Sequence, residues 1–141
     1  MSGEITIDIA TAIKAAVVAI VPAGTSVVAD GVVDDAASVN DDVAYPSVSI
    51  VVSECSPMQY RSVLRSFPVS IEVSTWYPDD RNQQTLYAIG HAVSQWLAEP
   101  SLTLTLAHWD ALVLEGPPIR DVDGRVQFFR WSGMVHTRKA T

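Results

Sequence analysis

Three side chains in the second half of the chain are of types that could carry out acid–base chemistry. They are Tyr87 and His91, which are four residues apart, and Asp121. An imidazole near a carboxylate or phenol can move a proton close to neutral pH, so this set is the best candidate for an enzymatic or ligand-binding site. His91, however, falls on the polar side of a predicted helix, where a surface histidine is the commoner outcome. We therefore predict no catalytic residues and no enzymatic activity, and keep a small enzymatic or ligand-binding domain as the less favoured alternative.

The other reactive residues form no pattern typical of a metal site or a nucleophile. His108 and His136 have no metal-type spacing to His91, and Cys55 has no adjacent His or Lys that would activate its thiol as a nucleophile. The Asp-rich segment 30–44 does not follow the carboxylate spacing of a Ca²⁺ loop, so we interpret it as a solvated acidic loop. No Gly-rich phosphate-binding or dinucleotide-binding motif occurs in the sequence. We expect no metal and no cofactor.

Composition and charge predict one domain made in the cytosol. The chain has 141 residues, of which 48% are hydrophobic, and a single cysteine, so it can bury a core but cannot form an internal disulfide. The most apolar run, residues 15–23, is too short to span a membrane, and the N-terminus lacks the basic segment of a signal peptide. The net charge is −7, and residues 1–60 hold eight acidic residues against one basic residue. Such a chain is not expected to bind nucleic acid in general, but segregated charge could help unlike faces of identical subunits meet head to tail.

The first half of the chain predicts a helix followed by strands. Apolar residues at helical spacing predict a helix over residues 4–21, ended by Pro22, although residues 5–9 also alternate like a strand. Short strand pieces joined by the acidic loop 30–44 are predicted next. Residues 47–54 then alternate clearly between apolar and polar side chains, which is typical of a strand with one buried face.

The second half begins with a long hairpin and a helix. Residues 55–66 are polar and rich in turn formers, so they are predicted to form a long hairpin tip. Strict alternation then predicts a strand over residues 67–76. An apolar arc of about 100° predicts an amphipathic helix over residues 80–97.

The remaining sequence predicts a second hairpin. Alternating leucines at residues 102–106 and an apolar run at 111–115 precede an Asp-Gly turn and a long strand over residues 125–137. The economical architecture is a single α+β domain over residues 1–141. Its sheet is expected to be antiparallel, or mixed at most, with about four main strands and both helices packed on one face.

Several segments of the chain together follow the pattern of a known family. They are the helix at residues 5–21, Tyr45-Pro46-Ser47-Val48-Ser49-Ile50, Val69-Ser70-Ile71-Glu72-Val73-Ser74-Thr75-Trp76, the helix at residues 80–97 and the strand at residues 125–137. In order and residue type the chain resembles the tail-terminator, or tail-completion, proteins of long-tailed bacteriophages. The resemblance covers nearly the whole chain and lies in the pattern of elements rather than in a diagnostic motif.

The resemblance implies a structural virion protein that assembles into a homo-oligomeric ring, typically a hexamer, on the end of the tail tube. Such a ring stops tube polymerisation and provides the surface for head–tail joining. The implied partners are further copies of the chain, the tail tube protein and the head–tail connector or neck protein, with assembly in the host cytoplasm and a final location in the tail or neck of the virion. No membrane contact and no specific nucleic-acid binding are expected, although DNA would be able to pass through the ring. A neck or head-completion protein on the capsid connector is the related alternative.

Contacts between subunits are predicted at three places in the chain. They are the far side of the first helix (Ile7, Val18), the hairpin tip (Tyr60, Arg61, Arg65) and the last strand (Arg130, Trp131). The last strand has apolar residues on both faces, as expected for a central strand that is covered by helices on one side and by a partner on the other. The exposed apolar residues of the first helix are also consistent with ordinary scattered surface residues.

Overall fold

Two helices and six strands make up the part of the chain that the computed structural model describes, which is residues 2–31, 45–59, 61–77 and 80–139. In chain order they are α1 (Ser2–Ile20), β1 (Ser26–Ala29), β2 (Ser47–Val52), β3 (Leu64–Trp76), α2 (Asp80–Ala98), β4 (Ala107–Leu114), β5 (Ile119–Asp123) and β6 (Val126–Lys139). Beyond Gly31, the predicted acidic loop 30–44 lies outside the described residues. The helices and the longer strands agree with the sequence prediction to within a few residues.

The strands form one mixed sheet in the order β1-β2-β3-β6-β4. β1 runs parallel to β2, and the other pairs are antiparallel. β6 pairs with β3 along nearly its whole length, so its other edge is shared by β5 at residues 126–130 and β4 at residues 133–139. The α+β class is confirmed, but the sheet is mixed rather than antiparallel, because β1 is parallel to β2, and the expected count of about four main strands was wrong, because the sheet has six. β1 lies where short strand pieces were predicted, and β5 precedes the predicted Asp-Gly turn; with four and five residues, both are too short to give a clear alternating pattern.

Both helices lie on the same face of the sheet. α1 packs on β1 and β2, α2 packs on β3 and β6, and the two helices contact each other. Their apolar stripes are fully buried there, at Ile9, Ile13 and Val17 of α1 and at Leu86, Ile89 and Val93 of α2. The matching sheet residues are every second residue of the strands, as the alternation of Val69, Ile71 and Val73 indicates. Neither α1 nor α2 combines the length and apolar character that a membrane-crossing helix needs, and the described residues contain no other α-helix.

The leucine-rich segment before β4 differs from the prediction. Residues 101–106 are not in a strand, and β4 begins only at Ala107. The carboxylate of Asp8 on α1 accepts hydrogen bonds from the backbone nitrogens of Thr105, at 2.9 Å, and Leu106, at 3.0 Å, and from the Thr105 hydroxyl at 3.0 Å. These donors are therefore satisfied by a helix side chain rather than by a neighbouring strand, while Leu102 is buried in the core.

Two glycines allow close approach between elements. A Cβ at Gly90 of α2 would lie 3.2 Å from the ring of Phe129, so the missing side chain lets α2 pack tightly on β6. A Cβ at Gly133 of β6 would clash with the carbonyl oxygen of Val113 in β4. The register of β4 against β6 shifts between Trp109 and Ala111, just before this contact.

Candidate functional site

The face of the sheet that points away from both helices has no helical cover within the described residues. We call it the open face. It carries the side chains that alternate with the core residues, and four of its aliphatic side chains are between 40% and 57% exposed: Val28, Val51, Val113 and Ile119. Polar side chains such as Ser70 and Ser132 lie between them. These half-exposed aliphatic side chains are open to contact with another protein.

One end of the open face holds a groove of about 450 Å³. It lies where β5 pairs with the start of β6. Its lining residues, which define the groove, are Tyr45, Glu72, Ser74, Asp121, Val122, Asp123, Val126, Phe128 and Arg130. Beside it, the rings of Tyr45 and Trp76 meet edge to face with their centroids 4.6 Å apart, and Trp76 remains 50% exposed. The groove therefore combines aromatic surface with three carboxylates.

The charges in the groove are only partly balanced. Arg130 donates hydrogen bonds from Nη2, at 3.1 Å, and from Nε, at 3.3 Å, to one carboxylate oxygen of Glu72, and its guanidinium lies 4.9 Å from the centroid of the Phe128 ring. Asp121 accepts a hydrogen bond from the backbone nitrogen of Val122. Because Arg130 is engaged with Glu72, the carboxylates of Asp121 and Asp123 leave the lining of the groove with an excess of negative charge, while Arg120 and Arg125 flank these two residues outside the lining.

The opposite end of the sheet carries positive charge. β2 ends level with Val69, whereas β3, β6 and β4 continue side by side to Leu64, Lys139 and Ala107, so this corner of the sheet extends past β1 and β2. We call this end the basic tip, formed by Arg61, Val63, Leu64, Arg65, Arg138 and Lys139. The backbone nitrogen of Lys139 donates to the carbonyl of Val63 at 2.8 Å, which joins the end of the chain to the hairpin. Val63 and Leu64 are 60% and 57% exposed.

The structure divides the predicted contact residues among different surfaces. Ile7 and Val18 lie on the outer side of α1, and both are about half exposed. Arg61 and Arg65 belong to the basic tip and Arg130 to the groove, whereas Tyr60 lies outside the described residues. The three surfaces do not form one continuous site.

Trp131 has little surface left for a partner, because it is only 3% exposed and lies on the face covered by the helices. The aromatic residue of β6 that reaches the open face is Phe128, which packs beneath Arg130 in the groove. The period-two pattern alone indicates that Trp131 and Phe128 lie on opposite faces of β6. It does not indicate which of the two faces the helices. The sequence did not predict that Glu72 and Asp121 line one acidic groove. These two residues come close only because β3, β6 and β5 pair in the sheet.

The three candidate acid–base residues are not brought together. Tyr87 and His91 both line an open pocket of about 210 Å³ between α2 and Pro118, at the edge of the helix layer. Asp121 lies in the groove on the opposite face. This pocket is smaller than the roughly 300 Å³ at which small-molecule sites begin. Within the described ranges, no three His, Cys, Asp or Glu side chains are placed to share a metal ion.

Comparison with known proteins adds no family to these observations. A scan against protein-family models finds no match, and a search of curated proteins finds no significant match. The resemblance to tail-terminator proteins therefore stays a prediction from the sequence. We base the functional proposal on three surfaces of the structure, which are the open face, the groove and the basic tip.

Proposed function

We propose that the protein is a bacteriophage tail terminator, which caps the tail tube as a homo-oligomeric ring. The ring stops polymerisation of the tube and provides the surface on which head and tail join. The observation that carries the proposal is the open face. Both helices pack on the other side of the sheet, so the aliphatic residues of the open face remain exposed. The element pattern of the sequence supports the same assignment.

The open face favours contact with protein. Val28, Val51, Val113 and Ile119 are spread over four strands, so they can be covered together only by a broad surface. Burial of apolar surface contributes about 25 cal/mol for each Å², so covering these side chains would stabilise an assembly. Further copies of the chain and the tail tube protein are the partners we propose for this face. The connector or neck protein would bind the completed ring.

Disruption of the gene, followed by electron microscopy of the particles, tests the function directly. A terminator mutant should accumulate tails of abnormal length, and the purified protein should restore normal length when it is added during tail assembly. Light scattering coupled to size exclusion should show a ring, or a monomer that becomes a ring on tails.

Two results would contradict the proposal. Tails of normal length that fail to join heads would assign the protein to the neck or head-completion class. A stable dimer that does not cap tail tubes would exclude a terminator ring.

A further inference from the structure

We propose that the basic tip of one copy docks into the groove of the next copy, so that the subunits join head to tail. The inference rests on the proposed ring, because it identifies the two surfaces by which the copies would meet. The occupant of the groove is thus a second copy of this chain.

Charge complementarity is the first argument. In the basic tip, Arg61, Arg65, Arg138 and Lys139 outnumber the neighbouring acidic residues Glu54 and Asp110, of which Asp110 lies 3.8 Å from Arg138. This positive end belongs to a chain whose net charge is −7. The groove has the opposite sign, since Asp121 and Asp123 are left after Arg130 has paired with Glu72. Surfaces of opposite sign favour encounter in one orientation and disfavour the reverse.

The apolar composition of the two surfaces is the second argument. Val63 and Leu64 are exposed at the basic tip, between cationic side chains. Phe128 lies beneath Arg130 and is only 8% exposed, so the groove offers mainly the ring of Tyr45, with Trp76 half exposed beside it. Aliphatic side chains can pack on these rings, and arginine can also bind over an aromatic face, as Arg130 already does over Phe128.

The separation of the two surfaces makes the contact intermolecular. The basic tip lies at Leu64, the first residue of β3, and the groove borders Ser74 near its end. Glu72, the lining residue of β3 nearest the tip, is eight residues from Leu64, so the two surfaces are about 26 Å apart at the usual rise of a strand. The tip therefore cannot reach the groove of its own copy. A contact between two different surfaces of identical subunits is heterologous, and it gives a closed ring when the rotation between subunits closes.

Exchange of charges between the two surfaces tests the contact. A tip variant carries Arg61→Glu and Lys139→Glu, and a groove variant carries Asp121→Lys and Asp123→Lys. Each variant places like charges opposite each other, so we expect self-association at least roughly tenfold weaker than that of the wild type in sedimentation velocity. The fourfold variant keeps the wild-type net charge and should recover association, as should an equimolar mixture of the two double variants.

A control variant, Glu4→Lys with Glu99→Lys, has the same net charge as the groove variant but changes exposed acidic residues that belong neither to the groove nor to the open face. It should associate like the wild type. Thermal unfolding of each variant establishes that the fold is retained.

The outcomes separate this inference from the proposed function. If the tip variant still forms rings, or if the fourfold variant does not recover association, the docking of tip into groove is wrong, and tail capping still tests the terminator. If the tip variant forms rings normally but these rings no longer cap tails, the basic tip contacts the tube protein instead of the groove. If the fourfold variant recovers association but the wild-type protein does not cap tails, the contact is supported and the terminator function is rejected. A wild-type chain that stays monomeric at low salt and on tails would overturn both.

Discussion

Gly133 fixes the packing of β4 on β6 at the scale of a single residue. A Cβ at this position would clash with the carbonyl oxygen of Val113, which is backbone and cannot move away as a side chain would. We expect Gly133→Ala to lower the free energy of unfolding by about 1–3 kcal/mol, the usual cost of overpacking a well-packed site. Urea unfolding of the variant and the wild type measures this difference in the free energy of unfolding. Gly116→Ala is the matched control, because a Cβ there would meet nothing within 4 Å, and an equal loss in both variants would contradict the explanation.

Asp8 ties α1 to the segment before β4 through a single carboxylate. It receives the hydrogen bonds of Thr105 and Leu106 described above, from residues about 97 positions away in the sequence. Hydrogen bonds to a charged acceptor contribute about 1.5–3 kcal/mol, and since this site is partly exposed we expect Asp8→Ala to cost about 1–2 kcal/mol. Asp8→Asn keeps one acceptor oxygen and should lose less. If the two variants unfold at the same urea concentration as the wild type, the carboxylate does not hold this segment.

At the scale of elements, Gly90 determines how closely α2 lies on the sheet. The ring of Phe129 is 3.2 Å from the position of a Cβ, and the side chain of Trp131 is 3.7 Å from it. We expect Gly90→Leu to destabilise the fold by about 1–3 kcal/mol in urea unfolding, because the helix must move away from β6.

Gly90→Ala should change stability little, because alanine gains about 1 kcal/mol of helix propensity over glycine, which offsets the tight contact. Ala88→Leu, at an exposed position of the same helix, provides the control and should stay within about 0.5 kcal/mol of the wild type. A wild-type stability for Gly90→Leu would mean that α2 does not depend on this close approach.

The sequence predicted well those elements whose local pattern agrees with their burial. Val69, Ile71 and Val73 alternate because one face of β3 is core, and α2 has an apolar arc because it covers that core. The leucines at 102–106 alternate as a strand would, but their hydrogen bonds depend on Asp8, far away in the sequence. Such long-range contacts leave no local pattern.

The candidate site was less predictable than the fold for the same reason. The groove requires the pairing of β3, β6 and β5, and the basic tip requires the last residues of β6 to meet the hairpin. Arg61 and Arg65 were predicted as contact residues from their place in the hairpin tip, and the structure places them at the basic tip, whereas Lys139 was not predicted because nothing local marks it. A single sequence does not show which strands are neighbours.

At the scale of the whole molecule, the two faces of the sheet differ in what covers them. α1 and α2 cover one face, so the exposed apolar residues of the helix layer, such as Val18, lie on a separate surface from those of the open face, such as Val51. If assembly uses the open face, a charge placed there should disturb assembly while leaving the core unchanged, since Val51 is already 40% exposed.

We therefore expect Val51→Lys and Val113→Lys to keep the urea-unfolding midpoint of the wild type and to reduce ring formation and tail capping. A lysine in an apolar contact must be desolvated without a partner, which weakens association. Val18→Lys is the matched control, because it makes the same change at a comparably exposed valine of the helix layer. If Val18→Lys abolishes capping while Val51→Lys does not, the copies meet through α1, and the open face must be assigned to another partner or to solvent.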